Sequence, residues 1–204
     1  MTPPTPPPAG RPPEPLTDGV VMARPFTMDD VADVTEACQD PEISRWTSAI
    51  PWPYHEEHAR DWIATHPAEW ESGRAASFAV VDATTGRLLG STGLHDVNRG
   101  RGDAEIGYWV AAPARGRGVA TRAVELVTRW ALSDYGLRHV DLLTKLGNEA
   151  SERVAARAGY RYAGEVRGVP SLLDPTQRFD AKRWVTTADG RPPLDWPADF
   201  LQRS

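Results

Sequence analysis

The chain of 204 residues carries 28 acidic against 23 basic residues, a formal charge of −5, and 40 % of it is hydrophobic, with eight Trp. One domain of this size can bury enough apolar surface to offset chain entropy, and no overall positive field draws it to nucleic acid or an anionic membrane. Cys38 stands alone, which excludes an internal disulfide; no run of about 18 apolar residues and no secretory-leader pattern is present, so a cytoplasmic protein without membrane contact is expected.

Met1 to Pro15 hold eight prolines and almost nothing apolar, so residues 1–17 are expected to form a disordered or polyproline-II tail. The folded domain is expected over 18–188 and a loose C-terminal extension over 189–204. Within the domain, a strand near Val20 to Arg24 precedes a helix capped by Thr27 or Asp29 and running to about Cys38. Ser44 to Tyr54, with Trp46, Pro51, Trp52 and Pro53, reads as irregular, and His55 to Thr65 as a second helix. Ser77 to Val81 and Leu88 to Gly93 form a hairpin about a Thr-Gly turn, and "NRGRGD" turns into a strand at Ala104 to Val110. There Ala104, Ile106, Tyr108 and Val110 share one face, and Glu105, Gly107 and Trp109 the other, because side chains alternate.

Val119, Ala120, Ala123, Val124, Val127, Trp130 and Ala131 recur at helical spacing and predict a helix from about Gly118 to Leu132. His139 to Thr144 is a short strand, Asn148 opens a helix that Gly159 closes, and strands follow at Tyr160 to Arg167 and Phe179 to Thr186. The order predicts an α/β domain: a mixed, mostly antiparallel sheet of about seven strands flanked by about four helices.

The motif "APARGRGVAT", Ala112 to Thr121, stands between a strand and an amphipathic helix. Gly116 and Gly118 let backbone N–H groups approach an anion, and the helix N-terminus adds about half a positive charge. By itself the motif is equally an ordinary strand-to-helix turn. No Gly-Lys-Ser/Thr follows it, and the three-glycine dinucleotide fingerprint is missing.

Arg115-Gly116-Arg117-Gly118-Val119-Ala120 resembles the Arg/Gln-x-x-Gly-x-Gly/Ala signature of the GNAT superfamily of acetyl-coenzyme A dependent N-acetyltransferases. "AEIGYWV" before it and "GNEASERVAARAGYRYAGEVR" after it are similar to the RimJ/RimL branch, which includes ribosomal-protein N-terminal acetyltransferases. The resemblance covers about Val20 to Thr186 and implies the GNAT fold. It implies acetyl-coenzyme A as cosubstrate, bound by Trp109, Val110, Ala111, Arg115, Gly116, Arg117, Gly118, Val119, Ala120, Thr121, Asn148 and Ser151. Direct attack by a neutral amine on the thioester is implied, with a backbone N–H of the splayed strand at Ala104 to Val110 holding the oxyanion.

An ammonium needs a base before it can attack. The family's acidic position falls on Glu105, with Asp103 as the alternative; either could equally be a solvated or ion-paired strand carboxylate. Many members place a Tyr where Ala155 stands, whereas Ser151 matches the hydroxyl used in the RimL-like branch to bond the departing sulfur. Ser151 also suits a helix-capping position, and Asn148 combines capping with cofactor contact. His95 ends a strand bordering the cleft and could relay a proton or serve packing. Trp46, Trp52 and Tyr54, by resemblance on the acceptor side, suit a peptide terminus or an amphipathic amine, or pack the core. His55 and His58 in "HEEH" lack the spacing of a helical zinc site, so no metal is expected. The expected partner is an amine acceptor, a protein N-terminus or a small molecule, and a homodimer is plausible by analogy. A noncatalytic acyl-coenzyme A binding module is the competing reading.

Overall fold

The computed structural model describes residues 14–190. Most of the expected tail and extension therefore lies outside the described residues. Eight strands form one sheet: β1 Leu16–Thr17, β2 Val21–Arg24, β3 Ala76–Asp82, β4 Leu88–Asn98, β5 Asp103–Val110, β6 His139–Lys145, β7 Arg161–Pro170 and β8 Arg178–Thr187, in the order β1-β2-β3-β4-β5-β6-β8-β7. Neighbouring strands are antiparallel except β5 and β6, which are parallel. The helices are α1 Val31–Ala37, α2 Pro41–Trp46, α3 Glu56–Ser72, α4 Val119–Ser133 and α5 Glu149–Arg157.

The apolar stripe of α4 lands as its spacing dictates. Val124, Val127, Trp130 and Ala131 pack on Phe78, Leu94, Ala104, Ile106, Val140 and Leu142 in one buried cluster that also takes Ala155 of α5. Each Val, Leu, Ile or Phe side chain among them, fully withdrawn from water, contributes about 1.5–3 kcal/mol. On the other face of the sheet Val31 and Val34 of α1, Ala59 and Ile63 of α3, and Ala79, Val81, Leu88 and Trp109 form a second cluster. The sheet is thus covered on both sides, with α4 and α5 opposite α1 and α3.

Three elements differ from the sequence reading. Leu16–Thr17, assigned to the tail, pairs with β2 as β1. Ser44 to Tyr54, read as irregular, begins inside α2, whose N-cap Asp40 accepts from the backbone of Glu42 at 3.0 Å, with Pro41 in the first turn; both are strong helix-start features. Helix α3 runs past Thr65 and through Pro67 to Ser72, stopping at Gly73 with φ of 66°. Burial of Trp70 against Phe78 and Trp130, with ring centroids 5.2 and 5.9 Å away, compensates the hydrogen bond that Pro67 cannot make.

The feature that positions the site is the way β5 and β6 part. They pair only through Asp103–His139, Ala104–Val140 and Glu105–Asp141. Beyond those residues the two strands diverge, leaving a gap whose walls are the C-terminal halves of β5 and β6.

Candidate active site

Backbone direction sets what the gap presents. Ser91 pairs with Trp109, and the Ala111 N–H donates to Leu89 O at 2.9 Å, so both residues turn their polar groups toward β4. By alternation Tyr108 and Val110 turn theirs toward the gap. The sequence reading offered Trp109, Val110 and Ala111 alike; in the structure Ala111 spends its N–H on β4, and the open groups belong to Tyr108 and Val110. The Val110 carbonyl already accepts from Arg115 Nε at 3.0 Å, which leaves amides as the donors available to an oxyanion.

After β5, Ala112–Ala114 form a short 3-10 turn, and Gly118 takes φ of 79° as the N-cap of α4. Gly116 has φ of 73°, and a Cβ at either glycine would meet nothing within 4 Å. Glycine is needed there for its left-handed backbone and not for space. Among the described residues no side chain caps α4, which leaves its first-turn N–H groups next to the loop of Arg115, Gly116, Arg117, Gly118, Val119, Ala120 and Thr121 without a side-chain acceptor. Arg115 is anchored to Asp40 at 2.7 Å, tying this loop to the start of α2.

Across the gap, Asn148 caps α5 by accepting from the Ser151 backbone N–H at 3.1 Å. The Ser151 hydroxyl lies 2.7 Å from the phenol of Tyr108. Burial pushes Tyr108 up to about 12, against the lowering effect of its bond to Ser151. The phenol therefore stays protonated, and either hydroxyl can donate in the pair. Ala155, where a family Tyr could have stood, is fully buried in the core. A phenol thus reaches the helix from β5 instead, a feature that reading Tyr108 as a core-facing residue missed.

Glu105 projects from β5 on the face opposite α4. Its Oε1 is 3.7 Å from His95 Nε2, and the other ring nitrogen of His95, Nδ1, is 3.6 Å from Asp96 Oδ2. Neighbours in a strand point to opposite faces, yet Asp96 sits at an irregularity of β4 with φ of 51°, which brings its carboxylate round to the imidazole. Burial disfavours charge on His95, but Glu105 and Asp96 outweigh it and hold the group above its ordinary value. Exposure rises along the series: the Glu105 side chain is 19 % exposed, His95 38 % and Asp96 62 %. Donor atoms of these three residues lie within 4.8 Å of one another. Each ring nitrogen faces a different carboxylate, the arrangement of an imidazolium between two anions.

Beside Glu105 on β6 is Asp141, fully buried and held by Arg183 through bonds of 3.0 and 3.1 Å. Burial raises the Asp141 carboxyl to about 7, with Arg183 opposing, while the negative charges of Glu105 and Asp103 add to the rise. Asp103, the alternative base, is buried and bonded to Arg101 Nε at 2.9 Å, which fits a structural ion pair.

Of the expected acceptor-side aromatics, Trp46 closes α2 beside a cleft, with its ring nitrogen bonded to Glu42 at 3.0 Å. Trp52 is 58 % exposed. Tyr54 is buried in the core with Cys38 and Ile63, so it supports the wall from behind. No described helix is long and apolar enough to cross a membrane.

The GNAT acetyltransferase domain model matches residues 21–161. Putative ribosomal N-acetyltransferase YdaF of Bacillus subtilis (strain 168) is 34 % identical over 82 residues, covering 40 % of this chain and 45 % of that protein. The ribosomal L7/L12 alpha-N-protein acetyltransferase RimL, solved in complex with coenzyme A, superposes with a TM-score of 0.75 at 14 % identity, over 87 % of this chain and 100 % of that one. Mycobacterium smegmatis RimJ, in complex with a CoA disulfide, gives 0.73 at 23 % identity over 88 % of each chain. These structures share the fold. With the domain matched over more than half of the sequence, the chain belongs to the GNAT family of acetyltransferases.

Proposed function

We propose that the chain moves the acetyl group of acetyl-coenzyme A to an amine by direct attack in a ternary complex, in the cytoplasm. A protein N-terminal α-amine is the favoured acceptor, supported by relatives named for ribosomal proteins; a small-molecule amine is the other. The observation that carries the reading is the placement of Glu105 and the Tyr108–Ser151 pair at the same strand gap, on opposite faces of the sheet.

The α4 N-terminus and the Gly116–Gly118 backbone hold the diphosphate, and the open edge of β5 holds the pantetheine arm. Glu105 takes the proton of the incoming ammonium, directly or through water, and His95 and Asp96 lead outward from it toward solvent. The amine nitrogen bonds to the carbonyl carbon, backbone N–H groups of Tyr108 or Val110 hold the oxyanion, the nitrogen gives up its second proton to water, and as the carbon–sulfur bond breaks the thiolate takes up a proton. The Ser151 hydroxyl, hydrogen-bonded to Tyr108, donates a hydrogen bond to the departing thiolate.

An acyl-enzyme has no nucleophile in Cys38: the thiol is 1 % exposed, and burial pushes it up to about 12. A noncatalytic acyl-coenzyme A module would need the binding loop but neither Glu105 nor Ser151. Incubation with acetyl-coenzyme A and a panel of peptides and small amines, following free thiol and acetylated product by mass spectrometry, tests the reading. Thiol release matched to acetyl-amine supports it, and coenzyme A binding without product from any acceptor supports the module.

A further inference from the structure

A cleft of about 520 Å³ lies between the C-terminal end of α2, the end of β6 and the start of β8, bordered by Arg45, Trp46, Lys145, Arg178, Phe179 and Asp180. Lys145 is four residues beyond Asp141 on β6, so alternation places it on the face that carries Glu105 and away from the phosphate loop of α4. The cleft thus lies on the same face of the sheet as Glu105.

Its charge is opposite to that of the chain as a whole. Its lining carries three cations and one carboxylate, Asp180, which already accepts from the Gly168 N–H at 2.9 Å, with Glu42 a second carboxylate at the rim. Lys145 Nζ donates to the carbonyls of Arg45 and Thr47 at 3.0 and 2.7 Å and sits 4.9 Å above the Phe179 ring. Arg178 donates to the Gly168 carbonyl at 2.7 Å. Neutral carbonyls satisfy these donors without cancelling the charge. Arg45 lies 4.8 Å over Trp46 and pairs with Glu42, both partners being exposed and screened by water. Trp46 and Phe179 add ring surface that a planar or apolar group can cover.

The other end of the same face carries Glu105, Asp96 and the imidazole between them. A surface running from acid to base attracts a molecule with an ammonium at one end and an anion at the other. Four residues of strand separate the two ends, about 13 Å at about 3.3 Å per residue.

Resting on the acetyl-transfer reading above, we propose that the acceptor is zwitterionic: its amine lies at Glu105 and its carboxylate or other anion, next to an aromatic or planar group, lies between Arg45, Lys145 and Arg178. Lys145 also clamps the end of α2 to β6, so substitutions at the exposed rim are the cleaner probes. A specific comparison is Ser-Ala-Ala-Phe with a free C-terminal carboxylate against the same peptide as its C-terminal amide. Each is titrated calorimetrically into the protein with and without coenzyme A.

The carboxylate peptide is expected to bind about tenfold more tightly than the amide. Arg178→Gln and Arg45→Gln should each erode that preference, and together remove most of it. Equal affinities in the unmodified protein, no heat from either peptide, or a preference that survives both substitutions overturns the proposal. The acetyl-transfer reading fails on a different result, absence of heat from coenzyme A itself, because the peptide comparison is also made without it.

Discussion

The phenol of Tyr108 on β5 lies 2.7 Å from the hydroxyl of Ser151 in the first turn of α5. Under the proposed reaction the Ser151 hydroxyl, backed by this phenol, turns its hydrogen to the coenzyme sulfur. Ser151→Ala is expected to lower kcat about 100-fold, in the range of lost acid–base assistance. Tyr108→Phe should lower it about tenfold, and the double variant should be little worse than Ser151→Ala, because the two groups act in series. Steady-state kinetics of the three variants checks this; independent, multiplicative losses would separate the pair.

Glu105→Gln keeps the shape of the side chain and removes the base. We expect kcat to fall about 100-fold while the KM for acetyl-coenzyme A changes by less than about twofold. A variant with unchanged kcat would make Glu105 a structural strand carboxylate.

Gly118→Ala tests the anion cradle. At φ of 79° an alanine costs about 1–2 kcal/mol, and relaxation of the backbone turns the first N–H groups of α4 away from the ligand. Calorimetry should show affinity for coenzyme A reduced about tenfold. Unchanged affinity would place the diphosphate elsewhere.

His66 supplies a stability test away from the site. It is buried between Phe26 and Trp62, neither ring nitrogen has a hydrogen-bond partner among the described residues, and burial lowers it from 6.5 to about 4. Below its unfolded value the unfolded chain takes up a proton that the folded chain refuses. The stability is therefore complete above about pH 6.5 and is lost as pH falls toward about 4. His66→Phe should remove about 2 kcal/mol of the difference between about pH 7.5 and about pH 5, measured by urea unfolding. An identical acid sensitivity in the variant would refute it.

Much of this was legible in the sequence where the signal is local. The apolar spacing of α4, the glycines before it, Asn148 as a cap and the two faces of β5 all depend on residues within a few positions of one another. What escaped was made by docking. Tyr108 meets Ser151 across 43 residues, and Asp141 meets Arg183 across 42, so neither pair leaves a pattern in its own strand. Asp96 reaches His95 only because β4 is irregular there. Helix α2 has six residues, too few for periodicity to register, although Asp40 and Pro41 mark its start. Helix α3, read to Thr65, continues through Pro67, where the burial of Trp70 offsets the missing backbone donor.

A crystal structure with coenzyme A bound tests the site most directly, because it needs no knowledge of the acceptor. The diphosphate is expected on the N–H groups of Arg117 to Thr121, the pantetheine arm in the gap between β5 and β6, and the sulfur within hydrogen-bonding distance of Ser151 Oγ. A diphosphate bound away from the start of α4, or a sulfur remote from both Ser151 and Glu105, would contradict the proposed reaction.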